Sequence, residues 1–358
     1  MRENTLKRRM QAGETVLGSW LSLPDAVAAE AMAQVGFDWL LIDMEHGPAA
    51  LNEAASMLTA VRTTGVTGII RVAWNESSQI QRALDLGCAG ILVPVINTAE
   101  DARRVVRDAR FPPLGERSRG GVRTTLAFAT DAMTYFERAN DEVLVLVQIE
   151  TELAVENVDE VLAVEGIDGV FVGPNDLAAS GLKRWPDVWI GDEAYMALVR
   201  RVAAAARKAG KVAGFLARDA KMAVEVDALG YNFVGVSGDV NIMTAAAKRA
   251  LDEARAGLQR AQPAAPEPPV TKPAAGDPFD DALEPVRRRM ERARLQESFV
   301  RGLFREGAVL DPNDVALQWA GMPNKNERAV TIAVLDALTA AGFLGRDGDL
   351  YRVLRLPD

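Results

Sequence analysis

Eight short, uninterrupted apolar runs constrain this chain more than any other feature. They read VLGSWLS (16–22), WLLIDME (39–45), TGIIRV (67–72), GILVPVI (90–96), LVLVQIE (144–150), GVFVGP (169–174), VAGFLA (212–217) and FVGVSGD (233–239). Each is continuous rather than alternating, as expected of parallel strands covered on both faces. Helical patterns fill the gaps. DAVAAEAMAQVG opens after Pro24 and stops at Gly36, and SSQIQRALDLG, TAEDARRVVRDAR, DEAYMALVRRVAAAARKAG and DAKMAVEVDALG follow the same grammar. Strands alternating with helices over ~250 residues predict a TIM (β/α)8 barrel across residues 1–258. A doubly wound open sheet is the competing architecture, but no GxGxxG follows the first strand.

The chain of 358 residues is longer than one such barrel. Residues 259–279 are rich in proline and alanine and read as an extended, semi-rigid linker. Residues 280–358 read as a small helical module ending in a β-hairpin that turns at Arg346–Asp349, a winged-helix-like finish. A helical cap packing on the barrel or on a neighbouring subunit is the other reading of that module. Acidic and basic residues balance over 281–358, which favours the cap.

Composition narrows the chemistry. A formal charge of −9 argues against a nucleic-acid partner, since phosphate binding wants clustered positive charge. No apolar run approaches a bilayer span, and the charged start MRENTLKRRM lacks the apolar stretch of a signal peptide. A single cysteine, Cys88, excludes an intrachain disulfide and a cysteine-rich zinc site. These features predict a cytoplasmic protein. The lone histidine, His46, excludes a multi-histidine metal centre, so a metal would be held mainly by oxygen, which favours magnesium or manganese.

In a barrel of this kind the active site lies at the C-terminal ends of the strands. Glu150 and Asp176 end neighbouring strands and can converge on one divalent ion, with helix capping as the structural alternative for each. Gln148 shares the face of Glu150. His46 lies in a Glu-His-Gly-Pro turn after the second strand and is the natural proton carrier, with Asp43 or Asp85 as the acid that orients it. Arg71 ends the third strand, where a cation binds a substrate oxo group or bridges barrel carboxylates. The Gly173-Pro174-Asn175-Asp176 turn offers backbone N–H groups at a helix start. Lys183 falls in a loop and Lys211 precedes the seventh strand, which disfavours a Schiff-base mechanism.

The segments GSWLSLPDAVAAEAMAQVGFDWLLIDMEHGP, RVAWNESSQIQRALDLGCAGILVPVINTAEDARRVV, FPPLGERS, LVLVQIETELAVENVDEVLAVEGIDGVFVGPNDL and GVSGD resemble the 4-hydroxy-2-oxo-heptane-1,7-dioate aldolases. These are class II pyruvate aldolases, related to 2-keto-3-deoxy-sugar-acid aldolases and to citrate lyase β subunits, and the resemblance covers about residues 6–255. It implies reversible cleavage of a 4-hydroxy-2-oxo acid, through an enolate stabilised by the ion, to pyruvate or hydroxypyruvate and an aldehyde. It implies His46 as base, Asp85 as the acid that orients it, and Glu150 and Asp176 as metal ligands. Arg71 and Gln148 then stand at the oxo group, with Trp20, Gly173, Pro174 and Asn175 lining the pyruvate pocket. Magnesium or manganese is the implied ion, with cobalt or zinc as substitutes, and the implied assembly is a hexamer exchanging its last barrel helix. Two departures stand out. The chain reads Gly115-Glu116-Arg117-Ser118-Arg119-Gly120 where such aldolases place a glycine after the arginine, so their aldehyde preference does not carry over. The tail from about residue 259 has no counterpart. Rival readings are a lyase acting on a coenzyme A thioester or a dicarboxylate, and a barrel that senses a ligand for a winged-helix regulatory tail.

Overall fold

The computed structural model describes residues 1–182, 192–261, 277–321 and 323–357. Most of the expected linker 259–279 and Lys183 lie outside the described residues. The chain divides into two compact units, Met1–Gln259 and Arg260–Asp358. The first is a closed parallel barrel of eight strands in sequence order. The strands are β1 (Val16–Leu21), β2 (Trp39–Asp43), β3 (Thr67–Arg71), β4 (Gly90–Val93), β5 (Leu144–Ile149), β6 (Gly169–Val172), β7 (Val212–Ala217) and β8 (Phe233–Gly238), with β8 closing on β1. Every predicted run forms a strand.

The runs are continuous because both faces are covered, and the two-residue period of the strand decides which side chain meets which layer. Leu40, Ile42, Ile70, Val145, Val147 and Ile149 point outward into the layer shared with the helices. Trp39, Leu41, Ile69, Leu144, Leu146 and Phe171 fill the interior. Four aromatic rings, Trp20, Trp39, Phe171 and Phe233, stand among the branched aliphatics of that interior. Trp39 stacks on Phe233 with centroids 4.0 Å apart, and Trp20 lies 5.1 Å from Phe171. Glycines make the room: a Cβ at Gly18 would stand 2.0 Å from the Trp39 ring, and one at Gly214 would stand 2.3 Å from Phe171. The helix Thr5–Gln11 closes the floor, with Leu6 and Met10 joining the interior cluster.

The same alternation carries polar residues to the mouth. Asp43 follows Leu41 by two, Arg71 follows Ile69, and Gln148 then Glu150 follow Leu146, so all four face the barrel axis above the apolar plug.

The last barrel helix, Asp239–Ala261, absorbs the first residues of the expected linker. Asp239 anchors it by accepting from the Ser22 and Leu23 N–H groups at 3.0 Å. Beyond that anchor, residues 241–255 are exposed, including Ile242, Met243 and Leu251.

In the second unit, helices Pro278–Leu283, Arg287–Ala293 and Glu297–Gly302 precede β9 (Val309–Leu310). Helices Pro312–Ala320 and Lys325–Ala340 then lead into β10 (Leu344–Asp347) and β11 (Leu350–Val353). The hairpin turns where it was expected, with Asp347 opposite Leu350 and Gly348 at φ 64°. The third strand, β9, was not legible: two residues suffice because Leu310 and Val309 pair with Tyr351 and Arg352. Phe279, Phe304, Phe343, Leu335, Leu338 and Tyr351 form this unit's own core. No described helix is long and apolar enough to cross a membrane.

Candidate active site

The mouth of the barrel is organised around two buried charges. Glu150, just past β5, is 4% exposed. Its Oε1 accepts from the Val95 N–H at 2.6 Å, and its Oε2 accepts from the Gln148 side-chain amide. Val95 adopts φ 54°, a strained left-handed conformation for a β-branched residue, and that strain aims its N–H at the carboxylate. Gly173 at the end of β6 leaves space on the other side. A Cβ there would stand 2.5 Å from the Gln148 amide nitrogen and 2.6 Å from Glu150 Oε2. Burial above all, then the negative charges of Asp176 and Glu45, push the Glu150 carboxyl up to about 7, against the opposing Val95 bond and Arg71 charge.

Arg71 is the second charge. Its Nε and Nη2 donate to Asp43 Oδ1 and Oδ2 at 2.9 and 2.7 Å, a bidentate pair across β2 and β3. Its Nη1 lies 2.8 Å from Glu45 Oε2. This arrangement is the carboxylate bridge, one of the two roles open for Arg71 from its position. Burial raises the Asp43 carboxyl, but the Arg71 bond and charge outweigh this and hold it below the ordinary carboxylate range. Burial raises Glu45 instead, more than Arg71 and His46 lower it. Asp43 also accepts from the Glu45 and His46 N–H groups at 3.1 and 3.3 Å, so one aspartate shapes the turn and orients the arginine. Glu45 had no role in the sequence reading. Its importance comes from Arg71 on the next strand, a partner that adjacency to His46 alone does not reveal.

Trp20 ends up beside this cluster, with the Arg71 guanidinium 5.9 Å from its ring centroid. Among the described residues its Nε1 and the Gln148 Oε1 are buried polar atoms without a hydrogen-bond partner, and such orphans ask for a ligand that supplies one. Gly173 accepts from Leu177 N–H at 3.0 Å and opens the helix Pro174–Leu182, in whose first turn Asp176 lies exposed. Pro174 lacks an N–H, so the anion-binding capacity of the turn rests on the amides after it.

His46 is exposed in its turn, with Nε2 3.9 Å from Glu45 Oε1. Asp85 does not pair with it inside this chain. Asp85 closes the helix Ser77–Asp85, and its Oδ1 accepts from Arg117 Nη2 at 2.9 Å. Arg117 is buried against Phe111 and Tyr135, and Gly121, at φ 85°, packs on Asp85 itself. Arg117 and Gly121, on either side of the departure at Ser118, therefore hold Asp85.

Glu150 and Asp176 fit a hard divalent ion by their chemistry: two oxygen donors, excess negative charge, and neighbouring polar atoms left free. Among the described residues no group of three or more histidine, cysteine, aspartate or glutamate side chains is gathered in metal-binding geometry. Such a site would draw its remaining ligands from water and substrate.

The family described as HpcH/HpaI aldolase/citrate lyase matches residues 17–246. A 2-keto-3-deoxy-L-rhamnonate aldolase of Klebsiella pneumoniae is 41% identical over 248 residues, 69% of this chain and 92% of that protein. A hydroxypyruvate/pyruvate aldolase of Deinococcus radiodurans is 39% identical over 247 residues, 68% of this chain and 87% of that one. The crystal structure of a family protein from Burkholderia cenocepacia superposes with a TM-score of 0.66 at 37% identity, covering 70% of this chain and 99% of the other. By its barrel, its strand-end residues and these likenesses, the chain belongs to the HpcH/HpaI aldolase/citrate lyase family.

Proposed function

We propose that the barrel is a class II pyruvate aldolase, a carbon–carbon lyase that reversibly cleaves a 4-hydroxy-2-oxo acid to pyruvate, or hydroxypyruvate, and an aldehyde. The observation that carries this reading is the buried Glu150, flanked by Gln148 and Gly173 and facing Asp176 and Arg71. Glu150 and Asp176 would hold the divalent ion, magnesium or manganese before cobalt or zinc, since every donor is oxygen. When bound, such an ion supplies a Lewis acid that draws electron density toward the 2-oxo group.

The chain's own residues do the rest. Arg71, oriented by Asp43, offers guanidinium N–H groups to the oxo oxygen as negative charge develops there. Trp20 Nε1 and the amides of Asn175 and Asp176 are donors for the substrate carboxylate, while Pro174 and Gly173 shape the wall. Gln148 keeps the Glu150 carboxylate in place and leaves its own Oε1 for a substrate hydroxyl. His46, exposed at the rim, takes the proton of the 4-hydroxyl as the C3–C4 bond breaks and the aldehyde leaves.

Asp85 remains the acid that orients His46, doing so from a neighbouring copy of the chain, a reading compatible with its own-chain bond to Arg117. The exposed apolar side chains of helix Asp239–Ala261 support a homo-oligomer, a hexamer by resemblance. A single cysteine, buried and free, suits the cytoplasm. The test is pyruvate release from a panel of 4-hydroxy-2-oxo acids with magnesium, manganese and cobalt compared. Activity across the panel that survives chelation unchanged, or in Glu150→Gln, refutes the metal assignment.

A further inference from the structure

The second unit carries a charged surface that the barrel chemistry does not use. Its order of elements is helices, the short strand β9, helix Pro312–Ala320, helix Lys325–Ala340 and the hairpin β10–β11 on a sheet ordered β10-β11-β9. This is the arrangement of a winged helix-turn-helix, in which the later helix is the one presented outward. Helix Lys325–Ala340 buries Thr331, Val334, Leu335 and Leu338 and leaves Lys325, Asn326, Arg328, Ala329, Ile332, Asp336 and Ala340 exposed.

The unit's balanced composition conceals a segregation of charge. Arg287 and Arg301 are ion-paired with Glu284, Glu297, Asp277 and Asp280. Arg289, Arg292 and Arg294 instead line a groove of about 670 Å3, together with Asn324 and Asn326 at the start of helix Lys325–Ala340. Among the described residues none of these three arginines has an ion-pair partner. Arg294, at φ 61°, ends its helix in a left-handed turn beside that groove. Arg328, on the next element, donates to the neutral oxygens of Asn313 and Pro323. The acidic groups here are Glu291, Asp314, Asp336, which is paired with Arg346, and Glu327, which itself lines the groove and whose Oε2 accepts from the Asn324 N–H at 2.8 Å in a capping box.

We infer that this face binds the phosphate backbone of double-stranded nucleic acid, with helix Lys325–Ala340 directed into a groove. Guanidinium groups beside a helix start are phosphate ligands. The exposed side chains at that start, Asn326 and Ala329, are small enough for a helix to enter a major groove ~12 Å wide. A duplex rather than an acidic protein segment is favoured because the groove's arginines stand beside the start of the helix that a winged helix-turn-helix presents outward. The wing takes no part: Arg346 is paired with Asp336, and Asp347 and Asp349 repel phosphate. The inference is independent of the aldolase reading.

The test uses the full chain and a labelled duplex of arbitrary sequence, titrated between about 50 and 200 mM salt. Binding is expected at low salt, with log K falling linearly in log salt. A triple variant Arg289→Ala, Arg292→Ala, Arg294→Asn, with asparagine chosen to tolerate the left-handed backbone, flattens that slope by about 2 to 3 and weakens low-salt binding at least about tenfold. Lys325→Gln, on a different element, flattens it by about 1. Both variants keep the melting temperature and the turnover of the parent. No binding by the full chain at low salt overturns the inference, as does an unchanged slope in both variants. Poly-glutamate of matched charge competing as well as unlabelled duplex overturns it in favour of an acidic protein partner.

Discussion

Glu150 makes the stability of the metal-free protein depend on pH in an unusual direction. Its carboxyl is almost wholly buried, and its pKa is pushed from the ordinary 4.5 to about 7, first by burial and then by Asp176 and Glu45. A carboxyl raised in the folded state favours folding while protonated. Its contribution is therefore complete below about 4.5 and is lost as pH rises through about 7. At ~1.4 kcal/mol per pH unit, the gap between 4.5 and about 7 corresponds to about 3 kcal/mol. For a domain of this size that is a fall of roughly 6 to 12 °C in melting temperature. The assay is thermal unfolding of chelator-treated protein at a series of pH values from acid to mildly alkaline, in a His46→Gln background that removes the chain's only imidazole. Glu150→Gln in the same background should remove most of the fall. Adding magnesium or manganese at the alkaline end should restore stability to the parent but not to Glu150→Gln, because only the ionised carboxylate is a ligand. Equal pH dependence in the two proteins would refute the reasoning.

The remaining predictions concern the shell around that carboxylate. Gly173→Ala should lower kcat at least about a hundredfold with little change in melting temperature, since its Cβ strikes the Gln148–Glu150 pair rather than the core; steady-state kinetics beside a melting curve decide it. Arg71→Lys should lower kcat/KM by about two to three orders of magnitude, because an ammonium cannot span both Asp43 oxygens and still reach Glu45. Asp43→Ala should cost about 3 to 5 kcal/mol in denaturant unfolding, by leaving Arg71 buried without its bidentate partner.

Strand positions were legible because each depends on a local run and each run is long enough to cross the barrel. The two-residue period then placed Gln148 and Glu150 on one face, and the structure puts them in hydrogen-bond contact. Features set by the approach of distant segments were hidden. A valine at φ 54° carries no signature of its turn, since β-branched side chains ordinarily avoid it, so the donor to Glu150 was missed. The partner of Asp85 was hidden for the same reason. Arg117 reaches it from a loop distant in the chain, and nothing in the local sequence pairs the two. The ends of the linker shifted because Gln259, Arg260 and Ala261 continue the preceding helix and Pro278 begins the next one, where a proline is tolerated.

The charge balance at the mouth explains why this barrel would use an ion rather than its own cation for the larger share of the chemistry. Arg71 is the positive group at the centre, and two of its three donors in contact already go to Asp43, with the third facing Glu45. That leaves the charges of Glu150 and Asp176 repelling each other, which adds to the burial that is the main reason the protonated form of Glu150 persists to about 7. An anionic 2-oxo acid entering such a site would add negative charge to two carboxylates and would be repelled unless a divalent cation arrived with it or before it. The prediction that follows is one of order. Pyruvate should perturb the intrinsic fluorescence of Trp20 in the presence of magnesium or manganese and leave it unchanged in their absence. Replacing Glu150 by Gln removes one of the two opposing charges. In that variant the metal requirement for pyruvate binding should relax even as turnover disappears. Metal-independent pyruvate binding by the parent protein, as tight as that seen with the ion, would show that Arg71 alone answers the substrate's charge and that the two carboxylates serve another purpose.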